Sequence, residues 1–249
     1  MNTNALQWRP AIPRELISSN EVHVWRVVLD LATIEIDSLS GILSVDELQR
    51  AGRFRFERDQ KRFIVARGIL RQILGHYLGE KPNELRFKYT SHGKPELATD
   101  QGYDTLSFNL SHSGAFALCA VTRGRKIGID IEQVRKDVTI EQIARRFFTH
   151  NEISSLERIH KDKRTEVFFQ YWTRKEAFLK ATGVGISFPM EQYDVSLLNG
   201  NVLSPITLLY DNRKSSGWYV QDLFPCPEYA ASIAVEGSEW DLSCWHYSV

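Results

Sequence analysis

The chain has 249 residues, 43% of them hydrophobic and 25% charged, the profile of a globular protein with room for one large domain or two of roughly 100–150 residues. Its 31 basic and 31 acidic side chains cancel, so the whole-molecule field gives no argument for nucleic acid as a partner. Three cysteines without metal-ligand spacing, no leader-like start over residues 1–13 and no apolar run long enough for a membrane span lead us to expect a soluble cytoplasmic protein.

The first dozen residues read as an irregular lead-in. Residues 21–29 (EVHVWRVVL) mix β-branched and aromatic side chains and predict a strand. Ser44-Val45-Asp46-Glu47 has the capping-box pattern that starts a helix. From Arg50 to Arg71 the cations Arg50, Arg53, Arg55, Arg58, Lys61, Arg62, Arg67 and Arg71 face only Glu57 and Asp59. That local excess suits an anionic ligand better than an anionic polymer. Apolar residues at helical spacing predict a helix over 59–78. A strand follows over 85–89, then a turn through Ser91-His92-Gly93-Lys94-Pro95, then strands over 106–110 and 116–121 joined by a turn over 111–114.

Arg123-Gly124-Arg125-Lys126 is a short polar break, and the chain is divided there into halves 1–123 and 124–249. A strand over 127–132, a helix over 139–147 and a helix from about Asn151 come next. A long helix over 165–182 stops at Gly183. The last third reads as short strands broken at Asn199-Gly200 and Ser216-Gly217. Both halves mix helices with antiparallel-looking strands, the pattern of an α+β fold.

Lys126-Ile127-Gly128-Ile129-Asp130-Ile131-Glu132 carries the most chemical information. In a strand, Ile127, Ile129 and Ile131 share one face, while Gly128, Asp130 and Glu132 share the other. Two carboxylates at i and i+2 raise each other's pKa, and a hard divalent cation removes that penalty. A solvated edge-strand face is the other reading of the same pattern. Gly128 leaves room for something large to approach the backbone. In the long helix, Glu176 interrupts a stripe of Phe168, Trp172 and Leu179, where a carboxylate is costly unless paired or metal-bound. Lys180, one turn on, is either its ion-pair partner or a cation beside a reacting phosphate. Lys175, elsewhere on the helix, is a phosphate contact or a solvated lysine. Gly93-Lys94-Pro95 and Asn109-Leu110-Ser111-His112-Ser113-Gly114 suit phosphate through small residues and hydrogen-bond donors, and both also read as ordinary turns. Neither has the spacing of a known phosphate loop.

Taken in order, His92–Pro95, Phe108–Ser113, Gly128–Glu132 and Trp172–Lys180 resemble the motifs of the Sfp-type phosphopantetheinyl transferases. Residues 145–152 (RRFFTHNE) and 50–56 (RAGRFRF) resemble two further segments of that family, so the likeness runs from about residue 45 to 190. It implies a pseudo-dimer of two similar α/β halves, each a small sheet packed with helices, with coenzyme A and Mg²⁺ between them. Asp130, Glu132 and Glu176 match the metal ligands. Arg50, Gly93, Lys94, Pro95, Ser111 and His112 match positions that hold the 3′-phosphate and adenosine of coenzyme A. Lys180 matches a lysine at the phosphate and leaving group, and Glu152 a glutamate that some members use as base. The implied activity is transfer of 4′-phosphopantetheine from coenzyme A to a serine of an apo acyl or peptidyl carrier protein by a monomer. A non-catalytic coenzyme A or carrier-binding module of the same fold, and an unrelated Mg²⁺-dependent nucleotide hydrolase, are the alternatives. Leu110 stands where isoleucine is common, and Arg50 where some members have lysine; both preserve the physical role.

Overall fold

A computed structural model describes residues 8–10, 17–91, 93–98, 102, 105–185, 188–196, 203–209 and 217–248. Strands β1 (Trp8–Arg9) and β2 (Glu21–Val28) open the chain. Helices α1 (Thr33–Ser40), α2 (Val45–Ala51) and α3 (Glu57–Leu78) follow. The small strands β3 (Phe87–Tyr89) and β4 (Pro95–Leu97) precede a hairpin of β5 (Leu106–Ser113) and β6 (Phe116–Arg123). Then come β7 (Ile127–Gln133) and helices α4 (Ile140–Phe147), α5 (His150–Arg158) and α6 (Lys161–Thr182). The chain finishes with β8 (Tyr193–Asp194), β9 (Ser204–Pro205), β10 (Thr207–Leu208), β11 (Trp218–Leu223), β12 (Tyr229–Glu236) and β13 (Asp241–His246).

Two sheets organise the molecule, in the orders β1-β13-β2-β6-β5 and β7-β12-β11-β9. Alternation along each strand gives each sheet two apolar faces. Trp25 and Val27 of β2 pack with Phe108, Cys119 and the apolar face of α3, including Ile69, Leu70 and Leu74. The opposite face of β2, Val22 and Val24, meets Leu118 and Ala120 together with Ile127, Ile129, Ile131, Ile233 and Val235 of the second sheet. Behind the second sheet, Phe168, Ala177, Phe178 and Ala181 of α6 cover Val220, Ala230 and Ala234. The order through the molecule is therefore helix, sheet, sheet, helix, an α+β fold of two helix-backed halves.

Most elements lie where the sequence pattern places them, with instructive differences. Ser111, His112 and Ser113 belong to β5 rather than to a turn, because they pair with Leu118, Ala117 and Phe116. The turn shrinks to Gly114 and Ala115, and Gly114 adopts φ 56° with Tyr229 Oη 2.3 Å from where a Cβ would stand. Helix α6 starts at Lys161, four residues before the predicted start. Trp8 and Arg9, in the expected lead-in, pair parallel with β13. The break at residues 123–124 falls between β6 and β7, yet β13 lies in the first sheet, parallel to β2. Asn199-Gly200 lies outside the described residues.

Candidate functional site

The site is built where β7 meets α6. A Cβ on Gly128 would stand 2.1 Å from the carbonyl oxygen of Ala177 and 2.3 Å from the nitrogen of Ala181. The large object that Gly128 admits is thus the backbone of α6 itself. That close approach brings Glu176 and Lys180, the residues just before Ala177 and Ala181, over Asp130 and Glu132. Asp130 is 3% exposed. Its Oδ1 accepts from Lys180 Nζ at 2.6 Å and from Ser111 Oγ at 2.9 Å, while its Oδ2 is buried without a partner among the described residues. Glu132 accepts from Ser113 Oγ at 2.8 Å. Lys180 serves Asp130, so the within-helix ion pair with Glu176 does not form; Glu176 has no hydrogen bond or ion pair among the described residues.

The electrostatics follow from that crowding. Burial, then the charge of Asp130, pushes the Glu176 carboxyl up to about 7, against the pull of Lys180. Burial and Asp130 likewise raise Glu132. Three carboxylates share one ammonium, and one buried oxygen is orphaned. An all-oxygen donor set of this kind fits a hard cation such as Mg²⁺. Among the described residues no three His, Cys, Asp or Glu side chains stand ready around a common point; Lys180 neutralises Asp130 in the arrangement seen.

A cleft of about 450 Å³ opens beside these acids, lined by Arg50, Phe63, Gly93, Lys94, Pro95, Leu110, His112, Glu176 and Lys180. Arg50 is exposed, with its guanidinium carbon 5.7 Å from the centroid of Phe63. Loss of water on the cleft walls, then the charge of Lys180, holds the His112 imidazole below its usual value. Gly93 turns the β3–β4 hairpin at φ 77°. Lys94 is engaged rather than free. Its Nζ donates to the carbonyls of Lys180 at 2.7 Å and Ile127 at 3.3 Å, tying the hairpin to the last turn of α6, and burial pushes its pKa down to about 8. His92 lies outside the described residues.

Glu152 and Lys175 are not brought to the cleft. Both are fully buried, and they pair with each other at 2.9 Å. Glu152 also accepts from Thr149 N at 2.8 Å and Val195 N at 2.9 Å, and Lys175 donates to the carbonyls of Met190 and Tyr193 at 2.8 Å each. Lys175 sits about 100° around the helix from Glu176, which turns it into the core between α6 and α5. A base at Glu152 or a phosphate contact at Lys175 would have to leave this pair. Conversely, sequence reasoning places Asn109 and Ser113 in a phosphate-suited segment but gives neither a role of its own. Asn109 Oδ1 accepts from Ile129 N at 2.8 Å, and its alternation with Ser111 and Ser113 is the available signal.

Known proteins are similar to this sequence. The profile of the 4′-phosphopantetheinyl transferase superfamily matches residues 126–234, and a 4′-phosphopantetheinyl transferase N-terminal profile matches residues 33–123. The 4′-phosphopantetheinyl transferase HetI of Nostoc sp. is 41% identical over 240 residues, 96% of this chain and 98% of its own. A 4′-phosphopantetheinyl transferase of Bacillus subtilis is 33% identical over 176 residues, 70% of this chain and 76% of its own. The transferase Sfp of the same species is 31% identical over 167 residues, 67% of this chain and 72% of its own. The chain belongs to the 4′-phosphopantetheinyl transferase superfamily.

Proposed function

We propose that the protein transfers 4′-phosphopantetheine from coenzyme A to a serine of an apo carrier protein and releases adenosine 3′,5′-bisphosphate. The observation that carries this reading is the unmatched acid cluster beside the cleft, with the orphaned Oδ2 of Asp130 near Glu132 and with Glu176 on the cleft wall. Those three residues would hold Mg²⁺, which supplies charge neutralisation at the pyrophosphate. Arg50, His112, Gly93 and Pro95 line the cleft; Arg50 and His112 would take the anionic nucleotide end, and Gly93 and Pro95 would shape its wall. The serine oxygen forms a bond to the β-phosphorus as the bond from that phosphorus to the bridging oxygen breaks, and the bridging oxygen leaves with the nucleotide. Lys180, with 30% of its side chain exposed, offsets charge that grows on the leaving bisphosphate. With Glu152 committed to Lys175, Glu176 is the carboxylate lining the cleft that can receive the serine proton through an intervening water.

Coenzyme A, Mg²⁺ and several apo carriers incubated with the protein should give carriers heavier by one phosphopantetheine unit. Binding of coenzyme A with no gain in mass on any carrier would overturn the transfer reading in favour of a binding module. Among the described residues no helix is long and apolar enough to cross a membrane. A cytoplasmic monomer, with both halves of the site in one chain, is part of the same reading.

A further inference from the structure

β5 ends the first sheet and β7 ends the second, and neither pairs with a further strand on its open edge among the described residues. Open edges leave backbone groups without ladder partners. Here the alternating polar side chains of β5 reach across to β7. Asn109 Oδ1 accepts from Ile129 N at 2.8 Å, Ser111 Oγ donates to Asp130 Oδ1 at 2.9 Å, and Ser113 Oγ donates to Glu132 Oε2 at 2.8 Å. Ser113 Oγ also accepts from Gln133 N at 3.1 Å. A ladder of three side chains joins the two sheets, and two of its rungs end on the acidic pair.

The two serines differ in what else they touch. Ser111 also receives Lys180 Nζ at 2.9 Å, so it belongs to the charge network of the cleft. Neither serine lines the cleft wall; the hydroxyl of Ser113 serves Glu132 and the backbone of Gln133. That backbone bond fixes which way the hydroxyl points. A carboxylate near a strand end, partly exposed as Glu132 is, otherwise samples several rotamers.

We propose that Ser113 is a positioning residue for Glu132. Its hydroxyl holds Oε2 and leaves Oε1, which has no hydrogen bond among the described residues, available to a cation. The proposal rests on the magnesium reading above. Partners that orient a metal ligand are typically worth about 10–100-fold in metal affinity.

Mn²⁺, followed by the loss of its free-ion EPR signal, is titrated into the protein with coenzyme A and without carrier. Ser113→Ala should weaken Mn²⁺ binding by about 10–100-fold with the circular dichroism unchanged, and Ser113→Thr, which restores a hydroxyl, should recover most of it. Unchanged affinity in Ser113→Ala, or a folded Ser113→Thr that binds as weakly as the alanine variant, overturns the proposal. Asp130→Ala in the same titration separates the two levels. If the parent protein holds no Mn²⁺, or Asp130→Ala loses none, the magnesium reading falls and Ser113 with it. If Asp130→Ala weakens binding and Ser113→Ala does not, only the role of Ser113 falls.

Discussion

The helices α3 and α6 each have 22 residues, each backs a sheet, and each ends on a left-handed glycine, Gly79 or Gly183. They treat buried charge in opposite ways. Arg67 and Arg71 of α3 close on Glu47 at 2.9 and 2.7 Å, and Glu47 also accepts from Ser44 N at the start of α2. Nη1 of Arg71 donates to the carbonyls of Pro82 and Leu85. Each of these charges has a partner. On α6, Glu176 joins Asp130 and Glu132 around one ammonium, and Asp130 Oδ2 has no donor among the described residues. The first cluster is a finished joint between α2 and α3. The second is an imbalance that a cation would correct. Buried charge alone does not mark a site; unmatched charge does.

Breaking the matched cluster should cost stability most. Glu47→Ala leaves two buried guanidinium groups without a counter-charge and should lower the unfolding free energy by about 3–5 kcal/mol, read from chemical denaturation. Arg67 also lines the cleft, so transfer should fall at least as far as the folded fraction does. Asp130→Ala should do the reverse. Removing one of three crowded carboxylates should leave the melting temperature within a few degrees, while kcat/KM for transfer falls by about 100-fold or more. A variant that keeps full activity would remove Asp130 from the site.

A pH series gives the smallest and sharpest contrast. The Glu176 carboxyl is raised to about 7 from the 4.5 it has in an unfolded chain. The folded state therefore binds the proton more tightly, and Mg²⁺-free protein should lose stability as pH rises from 4.5 to about 7, with the loss complete above that. Glu176→Gln should flatten this slope, and added Mg²⁺ should stabilise more at pH 8 than at pH 5.5. Melting curves across the range test it; a slope that persists in Glu176→Gln would assign it elsewhere.

Periodicity makes the long helices and the hairpin legible, and the apolar stripe marks Glu176 as an anomaly on spacing alone. What periodicity lacks is the identity of the opposite wall. Lys175 and Lys180 lie on one helix, and spacing gives their directions, but only packing shows that one meets Glu152 and the other Asp130. Ser111 and Ser113 suit a turn by local preference, and their pairing with Leu118 and Phe116 overrides it. Gly128 is legible as a close approach, although what approaches is the helix rather than a ligand. The placement of β13 beside β2 rests on a contact spanning more than 200 residues, which no local pattern encodes.

That placement has a consequence for how the molecule comes into being. Residues 241–246 sit between β1 and β2, the first two strands among the described residues. As a nascent chain leaves the ribosome, the sheet begun by β2 stays open along one side until nearly all the sequence has been synthesised, and such distant closures are slow. The half made first cannot be finished first. Until the last strand arrives, the Val22, Val24 and Trp25 strand offers a bare edge to other chains, and this is the interval in which a chaperone would matter most.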